Sequence, residues 1–313
     1  MSRVKNYLSL VKFSHTIFAM PFAMIGFFLG VFRVRQWDLN STIGWGNDIT
    51  NFVVWEMVIK FILVILCMIT ARSAAMAFNR YLDKNFDAKN PRTAIREIPA
   101  GIISANSALR FVIFNCIAFI ICTWFINKIC FFLSPVALFV ILFYSYTKRF
   151  TALCHLVLGL GLALAPIGAY LAMTGRFDVL PVLFSFAVLF WVSGFDIIYA
   201  LQDIDFDKSE NLYSIPSVLG KKNALRVSEL LHLLSASLVI IAGLIAYFGW
   251  LYWIGVAVFS GMLIYQHSIV KPNDLRKVNL AFMTANGIAS VVFAIFVIAD
   301  LYFNKSSGSP FQY

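Results

Sequence analysis

Two short stretches of the sequence place acidic side chains one helical turn apart. Asn79, Asp83 and Asp87 are four residues apart, and Asp203 and Asp207 repeat this spacing far downstream. Residues i and i+4 lie on one face of an α-helix, where like charges repel by a few tenths of a kcal/mol. The spacing therefore predicts two acidic faces that are mildly unfavourable unless a cation sits over them.

Basic side chains accompany these acidic stretches. Arg92 and Arg96 lie in a run interrupted by Pro and Gly, 90–101, which we expect to form an ordered cap, and Lys148 ends an apolar segment. Arginine binds phosphate oxygens in pairs, whereas lysine acts as a point charge. Small carboxylate sets beside cations suit a diphosphate bound through Mg²⁺, since this ion is usually shared between a few carboxylates and substrate phosphates. The same basic residues are also explained as ordinary charges at a membrane surface.

The composition is that of a membrane protein with several spans. Of 313 residues, 61% are hydrophobic and 13% are charged, whereas soluble domains carry about 25% charged residues. We expect one transmembrane domain over residues 1–313. The net charge of +10 is better explained by basic loops beside an anionic leaflet than by nucleic acid, which we do not expect as a partner.

Nine apolar segments are each near the length that spans a bilayer. The third and fourth segments, and the seventh and eighth, are separated so briefly that we expect tight hairpins. The segments are approximately 13–32, 54–82, 108–127, 129–147, 153–174, 179–202, 223–247, 249–268 and 279–301.

The distribution of basic residues predicts the orientation. With the N-terminus in the cytoplasm, seventeen Lys and Arg residues fall on the inside and five on the outside. This bias predicts that both acidic stretches lie on the cytoplasmic side and the C-terminus outside. A bacterial inner membrane is the expected location.

Two ionisable residues lie deeper within apolar segments. Arg72 precedes Asn79 by seven residues, and Asp196 precedes Asp203 by seven. Ionisable groups within a membrane are costly and usually face a cavity or a partner, although a snorkelling arginine remains an alternative for Arg72. Tyr144 is a candidate for lining the same cavity or a membrane anchor. The four histidines are scattered, and we interpret each, including His155, as a packing or interfacial residue.

At the acidic stretches the sequence resembles the UbiA superfamily of intramembrane prenyltransferases. The family patterns N-D-x-x-D-x-x-x-D and D-x-x-x-D correspond to Asn79, Asp83 and Asp87, and to Asp203 and Asp207. The run P-R-T-x-x-R-x-I-P-x-G (91–101), the lead-in Y-A-L-Q-D (199–203) and Y-S-I-P (213–216) resemble the 4-hydroxybenzoate polyprenyltransferase-like branch. One departure is Arg80, which replaces the usual acidic second residue of the first motif and leaves the metal count open.

The resemblance implies an all-α bundle of nine transmembrane helices around a central cavity, with cytoplasmic cap loops and an opening to lipid. It implies Mg²⁺-dependent transfer of a polyprenyl group from its diphosphate to an aromatic acid, 4-hydroxybenzoate or a related acid such as a dihydroxynaphthoate, in ubiquinone or menaquinone biosynthesis. The implied metal-binding residues are Asn79, Asp83, Asp87, Asp203 and Asp207. The four aspartates of this set and Asp196 are the catalytic candidates. The diphosphate would contact Asn79, Arg92 and Lys148, and the acceptor would contact Arg72, Tyr144 and Asp196.

Two other functions remain open from the sequence. A haem or lipid prenyltransferase of the same superfamily would share the motifs and differ in the acceptor. A cation-coupled transporter would use the acidic residues as ion sites, but transporter sites lie near the membrane midplane, whereas these acids cluster at one edge. Prenyl chain length and oligomeric state are not encoded in any pattern that we recognise.

Overall fold

The structure is a computed structural model that describes residues 3–11, 18–40 and 47–303. Within these ranges the chain is helical and contains no β-strand, which confirms the predicted all-α class. A 3₁₀ turn (Leu201–Asp203) joins α8 to α9, and a π-helical turn (Leu280–Ala285) leads into α12. The α-helices are α1 (Arg3–Leu10), α2 (Met20–Asn40), α3 (Asn47–Leu82), α4 (Lys84–Lys89), α5 (Ala105–Ile126), α6 (Lys128–Thr147), α7 (Cys154–Thr174), α8 (Val179–Ala200), α9 (Ile204–Ser209), α10 (Ile215–Ile245), α11 (Trp250–Ile269) and α12 (Asn286–Phe303).

The long helices are apolar enough to make this an integral membrane protein. In the described part of the chain, seven stretches are long and hydrophobic enough to cross a bilayer: Val54–Leu82, Ala105–Ile126, Lys128–Thr147, Cys154–Thr174, Val179–Ser209, Ile215–Ile245 and Leu280–Phe303. A shorter apolar helix, Met20–Val34, and the 20-residue α11 occupy the other two predicted segments. The count of nine spans stays a prediction.

Aromatic packing around Trp191 forms the centre of the bundle. This fully buried side chain on α8 contacts the rings of Phe22 on α2 and Phe259 on α11. Its indole Nε1 donates a hydrogen bond to Asn286 Oδ1 at the start of α12, 2.9 Å away. Because a buried indole N–H needs an acceptor, this contact fixes α8 against α12.

Small residues bring α2, α7 and α8 close together. A side chain on Gly26 of α2 would overlap the backbone carbonyl of Pro166 on α7, and one on Gly159 of α7 would overlap the carbonyl of Leu189 on α8. Small residues at these positions let helix backbones approach closely within a membrane. The tight contact fixes α7 against α8, and both helices contribute side chains to the cavity described below.

Both predicted hairpins are confirmed. Asn127 joins α5 to α6: its side chain accepts from the Cys130 amide (2.8 Å) and donates to the Leu171 carbonyl (2.8 Å). The second hairpin joins α10 to α11, and the Asp300 carboxylate accepts a hydrogen bond from the Gly249 amide (2.7 Å) at the start of α11. A negative charge at a helix N-terminus is favourable because it complements the helix dipole.

Helix α10 begins eight residues before the predicted apolar segment at 223. Ser214 and Ser217 form a capping box, and Pro216 lies in the first turn, where its missing N–H costs no helical hydrogen bond. Gly220, with φ of +74°, kinks the helix after this first part. Hydropathy alone placed the start later because Ser217, Lys221 and Lys222 interrupt the apolar run before residue 223.

Candidate active site

A cavity of about 290 Å³ lies where the ends of α3, α6 and α8 meet the start of α7 and the segment that precedes α10. All ten site residues predicted from the sequence line this cavity, although they come from three separate parts of the chain, 72–92, 144–148 and 196–207. They are Arg72, Asn79, Asp83, Asp87, Arg92, Tyr144, Lys148, Asp196, Asp203 and Asp207.

The two acidic stretches are less regular than the predicted helical faces. Helix α3 ends at Leu82 and α4 begins at Lys84, so Asp83 lies at a break, yet backbone bonds from Asp83 to Asn79 (2.9 Å) and from Asp87 to Asp83 (2.7 Å) keep the four-residue repeat. In the second stretch, Asp203 ends a 3₁₀ turn and Asp207 lies on α9. In each stretch the four-residue spacing therefore spans a local break, so neither acidic face lies on one continuous helix.

In the first acidic stretch, each carboxylate contacts a cation that lies outside that stretch. Asp83 accepts hydrogen bonds from Asn79 Nδ2 (2.9 Å) and Arg149 Nη2 (2.8 Å). Burial raises the pKa of Asp83 to about 6, although the charge of Arg149 opposes the shift. Asp87 accepts from Arg96 Nη1 through Oδ1 (2.6 Å).

In the second acidic stretch, the cations contact both carboxylates directly. Arg92 binds Asp203 in a forked arrangement, with Nε 3.0 Å from Oδ1 and Nη2 on Oδ2, and Arg92 Nη1 donates to the Tyr199 hydroxyl (3.0 Å). Lys148 Nζ lies 2.7 Å from Asp207 Oδ1. Burial favours the neutral amine of Lys148, but the charge of Asp207 outweighs this and holds the lysine pKa above its usual value.

Asp207 is fully buried and also depends on the first turn of α10. Its Oδ2 accepts from the hydroxyl of Ser214, the N-cap residue, at 2.9 Å. The backbone amide of Tyr213 donates to the Lys148 carbonyl (2.7 Å), so the same segment positions both members of the ion pair. This gives the Y-S-I-P segment a structural function that its spacing did not reveal.

Deeper in the membrane, Asp196 pairs with His155. Asp196 Oδ2 lies 2.7 Å from His155 Nδ1, and the backbone amide of Ile215 donates to His155 Nε2 at 3.4 Å. Because an amide can only donate, Nε2 accepts and Nδ1 carries the proton that it donates to Asp196. His155, interpreted from the sequence as a packing or interfacial residue, lies in the cavity wall beside a predicted acceptor-binding residue.

An apolar chamber of about 380 Å³ adjoins the polar cavity, and both are lined by Arg72, Met76, Tyr144, Leu158 and Leu162. It continues past Cys67 and Cys130 towards the opposite ends of α5, α6 and α7. From Tyr144 back to Cys130, α6 rises about 21 Å at 1.5 Å per residue. A polar compartment with anion-binding groups thus opens into a long hydrocarbon-like space.

Comparison with known proteins identifies the fold and the family. Residues 50–288 match the UbiA prenyltransferase family. The chain belongs to this family. The 4-hydroxybenzoate octaprenyltransferase of Tolumonas auensis is 30% identical over 228 residues, covering 73% of this chain and 79% of the relative. The enzyme of the same name from Francisella tularensis subsp. mediasiatica is 29% identical, covering 74% of this chain and 81% of the relative.

Two solved structures share the architecture of this UbiA-family prenyltransferase. The apo structure of a UbiA homolog from Aeropyrum pernix K1 superposes with a TM-score of 0.72 at 28% identity, covering 93% of this chain and 98% of that one. A UbiA homolog from Archaeoglobus fulgidus bound to DMAPP and Mg²⁺ superposes with a TM-score of 0.68 at 20% identity, covering 95% and 99%. The second likeness concerns the fold alone.

The donor set in the UbiA-family cavity fits Mg²⁺ that is shared with a ligand. Across the described ranges, no three His, Cys, Asp or Glu side chains converge into a complete protein cage for a metal ion. Asp87 Oδ2 is nevertheless buried without a hydrogen bond. Mg²⁺ usually takes one or two carboxylates together with water and phosphate oxygens, so an incomplete set of carboxylates suits this ion.

Three residues of the site were not singled out from the sequence as binding groups. Arg149 carried no distinctive spacing, and its charge was equally explained by the membrane surface. Ser214 was noted only within a family motif, and His155 is separated from Asp196 by 41 residues. The one feature of the sequence that could have indicated a function for His155 is its position as a polar residue at the start of an apolar helix.

Proposed function

We propose that the protein transfers a polyprenyl group from polyprenyl diphosphate to an aromatic acid, 4-hydroxybenzoate or a related acid such as a dihydroxynaphthoate, in quinone biosynthesis. The observation that carries this proposal is the junction of the two compartments. A diphosphate fits among the cations and carboxylates of the polar cavity, while its hydrocarbon chain fits the adjoining apolar chamber.

The proposed diphosphate site uses the two acidic stretches and their cations. Mg²⁺ held by Asn79, Asp83, Asp87, Asp203 and Asp207 would neutralise the charge that builds on the diphosphate as the carbon–oxygen bond breaks. Arg92 binds Asp203, and Lys148 binds Asp207. Both cations are positioned to donate hydrogen bonds to phosphate oxygens instead. Rings that line the cavity stabilise positive charge on the prenyl carbon: Tyr144, Phe195, Tyr199 and Phe282.

The proposed acceptor site lies between Arg72 and Asp196. Arg72 is ten residues from the end of α3, about 15 Å into the membrane, and its Nε is buried without a hydrogen bond. A guanidinium with a buried and unpaired Nε is unfavourable at this depth unless an anion binds it, and the carboxylate of an aromatic acid supplies one. Asp196, on the facing helix, accepts from the acceptor's hydroxyl, and Tyr144 lies beside the ring.

The decisive experiment uses membranes that contain the protein, a polyprenyl diphosphate, Mg²⁺ and single candidate acceptors. We expect a C-prenylated aromatic acid with 4-hydroxybenzoate or a dihydroxynaphthoate, and none when divalent metal is chelated. A prenylated haem or glycerol lipid, formed instead of a prenylated aromatic acid, would indicate a prenyltransferase of the same family with a different acceptor. Ion-dependent uptake into proteoliposomes without chemical change would favour a transporter and refute the proposal.

His155 is expected to act as a positioning residue for Asp196. His155→Leu removes the donor to Asp196 and should lower kcat/KM for the acceptor by about 10- to 100-fold, as for other groups that orient a binding residue. His155→Asn keeps a donor near the position of Nδ1 and should restore most of this loss. Steady-state kinetics with varied acceptor provide the measurement.

The affinity for pyrophosphate is the internal control for His155, because the diphosphate site is made by other side chains. It should be the same in both variants. Equal kinetic losses in His155→Leu and His155→Asn would show that the histidine supports packing and not the orientation of Asp196.

For the membrane arrangement we propose one domain over residues 1–313 with the N-terminus and the active site on the cytoplasmic side. The excess of basic residues near that edge supports this orientation. Bilayer lipid would surround the outer faces, where Phe114, Trp124 and Phe132 are each more than 60% exposed. Labelling of single cysteines introduced at Lys89 and Phe177, from each side of sealed vesicles, tests the orientation.

A further inference from the structure

Arg80 is an unusually buried cation in the wall of the polar cavity. Its side chain is only 3% exposed, and neither Nε nor Nη1 makes a hydrogen bond. The nearest carboxylate oxygen in an ion pair with it, Asp87 Oδ2, is 4.0 Å from Nη1. A buried charge without hydrogen bonds is costly, so this guanidinium is incompletely satisfied in the ligand-free site.

Neutralising Asp87 does not explain this arrangement. Arg96 already binds Asp87 through Oδ1 at 2.6 Å, which is the geometry of a charge-assisted hydrogen bond. Arg80 is therefore a second, more distant cation on a carboxylate that has a close partner. Its Nε and Nη1 lack hydrogen-bond partners, and the residue lines the polar cavity.

The net charge of the cavity depends on this residue. Six Arg or Lys side chains and five Asp side chains line it, so its formal charge is +1 with His155 neutral. An aspartate at position 80 would reverse this to −1. A cavity of net negative charge needs metal ions before it attracts a diphosphate, whereas a positive one attracts the anion directly.

We propose that Arg80 is a diphosphate-binding residue that lets this site hold a diphosphate group without a divalent metal. The inference rests on the proposed function, because it assumes that the polar cavity is the diphosphate site. It adds that part of the positive charge is a fixed guanidinium of this chain. Arg80 contacts the diphosphate oxygens beside Asp87, and Mg²⁺ then strengthens binding that already exists.

Calorimetric titration of inorganic pyrophosphate into the purified full-length protein in detergent, with EDTA present, tests the proposal. Wild type should bind, and Arg80→Gln should raise Kd by about tenfold or more, as expected for the loss of a hydrogen-bonded charge. Arg80→Lys keeps the charge without the planar fork and should fall between the two. With saturating Mg²⁺ the difference between wild type and Arg80→Gln should shrink.

Arg110→Gln is the matched control, because Arg110 is an exposed arginine on α5 that does not line the cavity. It should bind pyrophosphate as wild type does. Wild type that fails to bind pyrophosphate in EDTA overturns the proposal whether or not the variants fold. So does an Arg80→Gln variant with unchanged affinity. Failure of the proposed function gives a different result: the wild-type protein would bind pyrophosphate but would not prenylate any aromatic acid.

Discussion

Asp203→Asn is expected to reduce the rate of product formation by at least about 100-fold, the scale observed when one group that stabilises developing charge is removed from an active site. The carboxylate is held by the fork of Arg92 and by Asn90 Nδ2 at 3.4 Å, so its position is fixed before a ligand arrives. Asparagine keeps the shape but removes the charge that Mg²⁺ requires. Asp83→Asn should have a comparable effect because Asp83 occupies the equivalent place in the first stretch. Initial rates in membranes with saturating polyprenyl diphosphate and acceptor measure both losses.

Asp205→Asn is the matched control for the Asp203 substitution. Asp205 lies two residues away on α9, is exposed and does not line the cavity. Its rate should stay near that of wild type. The three variants are compared at matched expression. If Asp203→Asn and Asp83→Asn react as fast as Asp205→Asn, the two carboxylates do not take part in the reaction.

Lys148→Met is expected to reduce both stability and activity. Asp207 is fully buried, and removing its cation leaves a buried carboxylate with only the Ser214 hydroxyl as a side-chain partner. Breaking a buried ion pair costs about 3–5 kcal/mol, and we expect about 3 kcal/mol because Lys148 is 35% exposed and water screens the pair. Denaturant unfolding in detergent, followed by tryptophan fluorescence, measures the change.

Lys208→Met separates this effect from a general loss of positive charge, since Lys208 is an exposed neighbour of Asp207 on α9. We expect its stability to change by less than about 0.5 kcal/mol, as for most surface substitutions. Added Mg²⁺ should stabilise Lys148→Met more than wild type, because a metal ion takes the place of the missing cation at Asp207. Equal stabilities of the two variants would contradict the prediction.

Hydropathy and residue spacing predicted the architecture well, for a physical reason. A helix that crosses hydrocarbon must be predominantly apolar for about 20 residues, so segments such as 108–127 and 129–147 can be recognised one at a time. The start of α10 was placed too late because Ser217, Lys221 and Lys222 interrupt the apolar run before residue 223. The breaks at Asp83 and Asp203 were missed because a four-residue repeat survives a local change of helix type.

The acidic half of the candidate site was predictable because its members are near each other in the sequence. Most of their partners were not, since these ion pairs join distant parts of the chain: Arg149 is 66 residues from Asp83, and Arg92 is 111 from Asp203. Arg96, by contrast, is nine residues from Asp87. Which basic residue meets which carboxylate depends on how α3, α6 and α8 pack. Composition explained every one of these cations equally well as a surface charge.

The first turn of α10 has a consequence for how this enzyme can be altered. Ser214 binds Asp207 on the proposed diphosphate side, while the adjacent Ile215 amide binds His155, which in turn orients Asp196 on the proposed acceptor side. Changes at Asp196 and Asp207 should therefore combine non-additively, since they share one rigid support. Acceptor specificity is better altered on the opposite wall, at Arg72 and Tyr144. A new side chain there leaves the proposed diphosphate-binding residues unchanged.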